Sequence, residues 1–207
     1  MDEIGLCGFK NFGNTCWLNS TIQCLLKTKS MNKLFLQKNI NKQLNNNTIL
    51  SREWIRLING VYEENCIITP LSFFKSIVIS SNKNNYIFNF NRQNDVQEFL
   101  VFFIDSLHEE LKHKVNISIT GKIVNDLDKM AYDAMKQWKD YFKNQYSEII
   151  NIFYGQTVSH IKAIGEDINS YNYEAICTFS LSINREKETT NIYDCFDLFT
   201  NTQILDG

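Results

Sequence analysis

The sequence predicts an α+β fold, because helical patterns dominate its first part and β-rich segments follow them. Within residues 1–150, four windows repeat apolar residues every three or four positions, which is the period of an amphipathic helix. Two later windows, at residues 156–164 and 173–183, are β-rich, and the stretch from Tyr171 to Ile183 partly alternates. A run of helices followed by a run of strands is typical of an α+β domain rather than of alternating βαβ units.

Four amphipathic stripes define the predicted helices. Each stripe places apolar side chains along one helix face, which predicts a helix packed against a core. Polar stretches at residues 39–48 and 80–94 are predicted to be loops that separate these helices. The stripes are Leu18, Ile22, Leu25 and Leu26; Trp54, Leu57, Ile58 and Val61; Val96, Leu100, Phe103, Leu107 and Leu111; and Leu127, Met130, Ala134, Trp138 and Phe142.

Local signals mark the starts of two helices. Thr69 followed by Pro70 is typical of an N-cap with proline in the first turn, and predicts a short helix that extends to Ile77. Asn94 with Gln97 three residues later resembles a capping box ahead of the third stripe. A last short helix is predicted from the spacing of Ile192, Cys195, Phe196 and Phe199.

Composition excludes several classes of protein. The 207 residues are 43% hydrophobic, which is enough for one domain with a substantial core. Lys and Arg total 21 against 23 Asp and Glu, and no basic cluster predicts a nucleic-acid or anionic-membrane partner. No apolar run approaches the roughly 18–20 residues that cross a bilayer, and the acidic N-terminus is unlike a secretory signal. Six irregularly spaced cysteines without a CxxC pair indicate reduced thiols in an intracellular compartment, the cytoplasm or nucleus.

Cys16 is the most informative residue for chemistry, because it stands where the first helical stripe begins. Asn14 or Thr15 can cap this helix. A cysteine in the first turn faces unpaired N–H groups and the positive end of the helix dipole, and both favour the thiolate. The same N–H groups can stabilise an oxyanion that forms when a thiolate attacks a carbonyl. The residues alone leave a buried structural thiol as an equal alternative.

The sequence around Cys16 resembles the cysteine box of the ubiquitin-specific proteases. Residues 8–25 (GFKNFGNTCWLNSTIQCL) follow that family's pattern G-L-x-N-x-G-N-T-C-[YWF]-x-N-S-x-x-Q-x-L almost completely. Residues 92–100 (RQNDVQEFL) resemble its Q-x-D-A-x-E-F-L segment, and residues 106–111 continue its typical helix. The weaker matches to the family's later segments are at residues 153–159 (FYGQTVS), 179–183 (FSLSI), 194–199 (DCFDLF) and 205–207 (LDG).

The resemblance covers essentially the whole chain and implies both a fold and an activity. It implies a papain-like ubiquitin-specific-protease fold, in which residues 1–207 form part of a catalytic domain. Residues 1–150 would form a mainly helical lobe, and residues 151–207 would begin an incomplete β lobe. The implied activity is that of a thiol-dependent deubiquitinase, a hydrolase of the bond after ubiquitin's C-terminal glycine. Its partners would be ubiquitin or ubiquitinated proteins.

Site residues follow from the same resemblance, position by position. Cys16 would be the nucleophile that forms a thioester with ubiquitin's C-terminal glycine. Asn11 would help to form the oxyanion hole, and its alternative role is that of a turn residue. Asp95 would bind the extended, basic ubiquitin tail, and it also suits the start of a helix. Trp17 and Gln93 would wall the tail channel, and Trp17 suits core packing equally well.

Two departures from the family pattern change what this chain is expected to do. The family's catalytic histidine lies in a downstream G-H-Y box that is absent here, and His108 matches a position without catalytic duty. General-base assistance is worth roughly 10²–10⁴-fold, so hydrolysis by this chain alone is expected to be weak or absent. A second chain could supply the histidine half, and the alternatives are a catalytically dead ubiquitin-binding module or a truncated fragment. Residues 163–166 (AIGE) replace the family's CxxC pair, so no zinc and no other cofactor is predicted.

Overall fold

Nine helices and four strands form in the part of the chain that the structure describes. This computed structural model describes residues 6–163, 169–185 and 188–204, without the Asn41 side chain. None of the described helices is long and apolar enough to cross a bilayer. The helices are α1 (Cys16–Leu26), α2 (Lys29–Phe35), α3 (Ile40–Gln43), α4 (Ile49–Glu63), α5 (Leu71–Lys83), α6 (Val96–Leu111), α7 (Asp126–Phe142), α8 (Ile150–Phe153) and α9 (Ile192–Thr200). The strands are β1 (Gly8–Phe9), β2 (Ile67–Ile68), β3 (Gly155–Lys162) and β4 (Asn169–Ile176).

The strands form two small sheets of different kinds. Strands β1 and β2 pair in parallel, with Gly8 opposite Ile67, and this pairing fixes the segment that leads to Cys16. Strands β3 and β4 form an antiparallel hairpin in which Gly155 lies opposite Ile176. Helices with segregated small sheets constitute an α+β fold, and the sequence-based prediction of the fold class is confirmed.

Helices α1, α4, α5 and α6 enclose the main core with their apolar faces. The first two predicted stripes are buried along their full length, and the third is buried from Phe103 onward. At the centre, the fully buried Trp54 ring contacts Phe73 and Phe103, with centroid separations of 5.8 and 5.2 Å. Aromatic rings at these separations bury large apolar areas and make favourable tilted or edge-to-face contacts.

A carboxylate of α6 holds the beginning of α4. Glu110 accepts hydrogen bonds from the backbone N–H groups of Leu50 and Ser51, with lengths of 2.9 and 2.7 Å. These are among the first N–H groups of α4, which lack partners inside the helix, while Thr48 makes no side-chain cap bond. A negative charge at a helix N-terminus is favourable, so Glu110 both caps α4 and fixes it against α6.

The fourth predicted stripe forms a helix as expected, but its apolar face is mostly open. Of the stripe residues in α7, only Phe142 is buried, while Leu127 is 68% exposed. Residues of α7 contact the β3–β4 hairpin, and no other described helix is packed along its length. The prediction of a helix is therefore correct, and its apolar stripe is only partly buried, with Met130, Ala134 and Trp138 at intermediate exposure.

Other boundaries also differ from those predicted. The stretch at 39–48 contains α3, and α5 extends to Lys83, into the stretch predicted as a loop. Strand β4 begins at Asn169 and ends at Ile176, so residues 177–183 are not a strand. Alternation alone does not make a strand without a hydrogen-bonded neighbour, and Phe179 instead packs its ring against α9. The family-like residues 164–166 and 205–207 lie outside the described residues.

His108 lies in the interior, where its ring makes a hydrogen bond to a buried serine. Only 8% of His108 is exposed, and its Nδ1 lies 2.7 Å from the Oγ of Ser147. Burial lowers the pKa of His108 below its usual value of 6.5, with a smaller contribution from Lys112, against the opposing effects of Glu109 and Asp105. The folded protein therefore favours the neutral ring more than the unfolded chain does.

We expect the free energy of unfolding to fall as the pH drops below 6.5, the usual pKa of histidine. The unfolded chain takes up the proton at a higher pH than the folded chain does, so this contribution is complete above that value. It is lost as the pH falls toward the lowered pKa of the folded state. Urea titrations across this pH window measure the change.

The His108→Gln variant should show a flatter pH dependence over the same window, because its side chain does not titrate. His160→Gln, at an exposed position on β3, is the matched control and should retain the wild-type slope. An unchanged slope in His108→Gln would show that this ring does not couple protonation to folding.

Candidate active site

Cys16 is the first residue of α1, and the loop before it is shaped by one glycine. Gly13 has a φ of +108°, in the left-handed region that side chains other than glycine rarely adopt. After this turn Thr15 is fully buried, whereas Cys16 is exposed. The loop therefore presents the sulfur to solvent at the N-terminus of a helix, where backbone N–H groups lack partners inside the helix.

The Asn11 side chain is oriented by Thr15. Its Oδ1 accepts hydrogen bonds from the backbone N–H and the hydroxyl of Thr15, with lengths of 3.2 and 2.9 Å. The Thr15 hydroxyl in turn accepts a bond from the backbone N–H of Phe12, at 3.1 Å. Because the amide oxygen of Asn11 is engaged, its Nδ2 hydrogens are the donors that the side chain can offer to a substrate.

Two contacts connect the cysteine loop to the segment before α6. Asn14 donates from Nδ2 to the backbone carbonyl of Asn91, at 2.8 Å. Gln93 places its side-chain amide against Cys16, with its Nε2 3.5 Å and its Oε1 3.7 Å from the sulfur. These contacts join positions 77 residues apart in the sequence. They bring the two family-like boxes together at one site.

Asp95 caps α6 next to this site. Its Oδ1 accepts a hydrogen bond from the backbone N–H of Glu98 at 2.9 Å, and the residue is exposed. Asp95 is thus the N-cap, so the capping box predicted from Asn94 and Gln97 is wrong, because the helix begins one residue later than that pattern requires. Capping leaves part of the exposed carboxylate available, since its second oxygen can accept further hydrogen bonds.

Trp17 lies in the core beneath the cysteine loop. Only 4% of it is exposed, and its ring contacts Phe88, Phe90 and Phe99 with centroid separations of 5.2–6.1 Å. This position favours core packing over direct contact with a substrate. The ring instead fixes the beginning of α1 against α6, one residue after Cys16.

Two of the other thiols have surroundings that raise their pKa. Burial, together with the nearby charge of Asp105, raises the pKa of Cys177 to about 11. Partial burial and the neighbouring Cys7 thiol raise the pKa of Cys66, and its sulfur lies 4.0 Å from that of Cys7. A raised pKa reduces the thiolate fraction at neutral pH. Cys16 and Cys24 are the two exposed cysteines.

The three histidines of the chain are engaged away from Cys16. His108 is bonded to Ser147 in the interior, and the Nδ1 of His113 lies 3.1 Å from the carbonyl oxygen of Leu111. His160 stacks on Tyr171 in the β3–β4 hairpin. In the described part of the chain, the side chain that contacts the Cys16 sulfur is therefore an amide and not an imidazole.

Comparison with known protein families decides which family this site belongs to. Residues 7–173 match the family model described as ubiquitin carboxyl-terminal hydrolase. The chain belongs to the ubiquitin carboxyl-terminal hydrolase family. Asn11, Cys16, Trp17, Gln93 and Asp95 all lie inside the matched interval. The resemblance to ubiquitin-specific proteases that the two boxes indicate is confirmed.

Curated relatives from fungi and animals share this family. The chain is 29% identical to ubiquitin carboxyl-terminal hydrolase 4 of Vanderwaltozyma polyspora over 96% of its residues, and 30% identical to Usp2 of Drosophila melanogaster over 98%. It is 31% identical to ubiquitin carboxyl-terminal hydrolase 2 of Homo sapiens, again over 98%. The chain spans 24%, 21% and 34% of the lengths of these three relatives, in that order.

Solved structures share the fold. A chain of the SAGA DUB module Ubp8/Sgf11/Sus1/Sgf73, solved bound to monoubiquitin, matches with a TM-score of 0.65 and 20% identity. A second structure of that module, bound to ubiquitin aldehyde, matches with the same TM-score and 19% identity. The match covers 99% of this chain and 41% or 40% of the solved chains.

Two supporting residues of the family-like box have roles that the pattern did not predict. The sequence indicates Asn14 or Thr15 as the cap of α1. Thr15 occupies the N-cap position but makes no side-chain cap bond, and its hydroxyl donates to Asn11 instead. Asn14 instead reaches the loop before α6. Their presence directly before Cys16 in the quoted pattern was the available signal. Only the fold shows which atoms they contact.

No metal site is built into the described residues. Among residues 6–163, 169–185 and 188–204, no group of three or more Cys, His, Asp or Glu side chains is arranged to hold an ion. The segment that replaces the family's CxxC pair lies largely outside these ranges. The absence of zinc stays a prediction from the sequence.

Proposed function

We propose that this chain is the cysteine-bearing part of a deubiquitinating thiol hydrolase, with Cys16 as its nucleophile. The observation that carries the proposal is the contact of Gln93 with the Cys16 sulfur, which joins the loop that orients Asn11 to the segment that ends at Asp95. Membership of the hydrolase family supports the reaction, and the ubiquitin-bound neighbours support ubiquitin as the partner.

The geometry fits nucleophilic attack on the carbonyl of ubiquitin's C-terminal glycine. The Cys16 thiolate would form a C–S bond, and the carbonyl oxygen would become an oxyanion. The backbone N–H of Cys16 and the Nδ2 of Asn11 would donate to that oxygen. Collapse would expel the leaving group and leave a thioester on Cys16, which water then hydrolyses.

The Asp95 carboxylate would bind the ubiquitin tail. That tail carries arginine and exposed backbone N–H groups, and a carboxylate accepts hydrogen bonds from both. Gln93 lies two residues before Asp95 and already contacts Cys16, so a tail held at Asp95 would end close to the sulfur. Gln93 would line this channel, as the family resemblance implies, whereas Trp17 would support it from below.

The catalytic base would come from a histidine outside these 207 residues, either on a further segment of the same polypeptide or on a second chain. We propose residues 1–150 as the mainly helical lobe and residues 151–207 as the beginning of the β lobe. In the described part of the chain, β3 and β4 pair only with each other, so each has an unpaired edge. None of the α9 residues, all of which are described, is buried. These surfaces would pack against the histidine-bearing part.

A ubiquitin-binding module without catalysis is the second candidate. It is favoured by the engagement of all three histidines away from Cys16. It would need Asp95 and the tail channel, but it would not need a reactive thiol. Reactivity of Cys16 toward an activated ubiquitin separates the two functions.

We expect the purified chain to accept ubiquitin from a C-terminal thioester but to hydrolyse a ubiquitin amide weakly or not at all. A leaving thiolate departs without a proton, whereas a leaving amine requires acid assistance that these residues do not supply. Intact-mass analysis would detect ubiquitin joined to Cys16, and hydroxylamine would remove it. Cys16→Ala is the control. A folded chain that forms no adduct, or an adduct that persists in Cys16→Ala, would contradict the proposal.

We expect Asp95→Asn to weaken ubiquitin binding about tenfold, because it replaces a charge-assisted hydrogen bond with a neutral one. Asparagine is an equally good N-cap, so the free energy of unfolding should change by less than about 0.5 kcal/mol. Titration calorimetry with ubiquitin measures the first quantity, and urea unfolding measures the second.

Glu98→Gln is the matched control for the Asp95 experiment. It removes the same charge from an exposed position in the first turn of α6, while its backbone N–H still reaches residue 95. Equal losses of affinity in the two variants would mean that Asp95 contributes only its negative charge and makes no specific hydrogen bond to ubiquitin. If Asp95→Asn binds ubiquitin as tightly as the wild type does, Asp95 is not part of the binding site.

A further inference from the structure

The amide of Gln93 is the side-chain group that lies against the Cys16 sulfur. Its Nε2 donates toward the sulfur at 3.5 Å, and its Oε1 lies 3.7 Å from the same atom. Both residues are exposed, so this contact forms at the mouth of the site and not within the core. The family resemblance assigns Gln93 only to the wall of a substrate channel.

The backbone around Gln93 is held on both sides. Asn94 donates from Nδ2 to the carbonyls of Asn89 and Arg92, at 2.9 and 3.1 Å. Asn91 accepts the bond from Asn14, which belongs to the cysteine loop. On the other side, Asp95 is fixed as the cap of α6. Because the backbone is already ordered, only the rotamer freedom of the Gln93 side chain remains to be lost when it reaches Cys16.

An amide can serve either protonation state of the sulfur. With the thiol form, Oε1 can accept the weak S–H donor, and with the thiolate form Nε2 donates an N–H to the charged sulfur. A hydrogen bond to an ionised acceptor is about twice as strong as one between neutral groups, so the pair favours the thiolate. The glutamine itself carries no charge and does not titrate, so its N–H donor does not depend on pH.

We propose that Gln93 stabilises the Cys16 thiolate by donating its Nε2–H to the sulfur. Its contact adds to that of the α1 N-terminus, and it requires neither ubiquitin nor a histidine. Gln93 therefore prepares the nucleophile before a substrate arrives, in addition to lining the channel. The inference rests on the proposed function only for the assignment of Cys16 as the nucleophile.

Alkylation of Cys16 by iodoacetamide at different pH values tests this role directly. Peptide mass analysis separates Cys16 from the other exposed cysteine, Cys24. Gln93→Leu removes the donor at nearly constant size, and it should raise the midpoint of the alkylation profile by about one pH unit. Below the midpoint, the alkylation rate should fall about tenfold. Gln93→Glu places a carboxylate against the sulfur, and it should raise the midpoint at least as far.

Matched controls separate this contact from general effects of charge and packing. Gln97→Leu and Gln97→Glu make the same changes at an exposed position in the first turn of α6, and they should leave the midpoint close to that of the wild type. A wild-type midpoint in Gln93→Leu, or equal shifts in the Gln97 variants, would overturn the inference.

The readout also keeps this inference separate from the proposed function. Alkylation requires no ubiquitin, so shifted midpoints together with failure of ubiquitin transfer would refute the proposed enzyme while supporting the role of Gln93. Successful transfer together with unshifted midpoints would do the reverse. Because two different Gln93 substitutions are measured, the test does not depend on one variant remaining folded.

Discussion

Packing of α1 against α6 is the interaction on which the candidate site depends. The buried Trp17 ring contacts Phe99 with a centroid separation of 5.2 Å, and Trp17 directly follows Cys16. Phe99 lies four residues after Asp95, so this aromatic contact holds together the two helices whose N-terminal ends carry the candidate residues Cys16 and Asp95. Exposed contacts, from Asn14 to Asn91 and between Gln93 and Cys16, then join the cysteine loop to the segment before α6. A polar site on the surface is thus positioned by an apolar contact beneath it.

Helix N-termini recur as the places where this fold holds polar groups. The N-terminus of α4 is satisfied by Glu110, and that of α6 by Asp95. At α1, Thr15 occupies the N-cap position without making a side-chain cap bond, because its hydroxyl orients Asn11. The helix that carries the cysteine therefore begins without a side-chain cap bond from its N-cap residue. The side-chain cap bond that would stabilise α1 is thus absent at the helix end where we propose the nucleophile.

Sequence reasoning was most successful where one local pattern determines structure. The stripes of α1 and α4 are buried as their periods require, and the motif around Cys16 identified the family. It failed where partners distant in the sequence decide the outcome. The strand predicted beyond Ile176 has no described neighbour to pair with, and the β3–β4 hairpin covers the apolar face of α7 only in part. Neither condition is visible from a residue's local context.

The side-chain contacts of the site were also beyond the reach of the pattern. Family spacing placed Gln93 near a channel, but not its amide against the sulfur of Cys16. It gave Trp17 two equal interpretations, and burial beneath the loop favours the structural one. The hydrogen bond from Thr15 to Asn11 could not be predicted from the sequence, because the Thr15 hydroxyl could equally have capped the helix. The spacing of the two motifs predicts which residues belong to the site. The atoms that contact one another depend on the backbone conformation, including the left-handed turn at Gly13.

The most direct test of the account is labelling of the purified chain with ubiquitin that carries a thiol-reactive group at its C-terminus. Intact mass would be followed over time, beside the same reactive group without ubiquitin. The account predicts a single adduct on Cys16, absent from Cys16→Ala and formed far faster with ubiquitin than without it. Equal rates for the two reagents, or a folded chain without an adduct, would contradict the claim that these residues form a ubiquitin-directed thiol site.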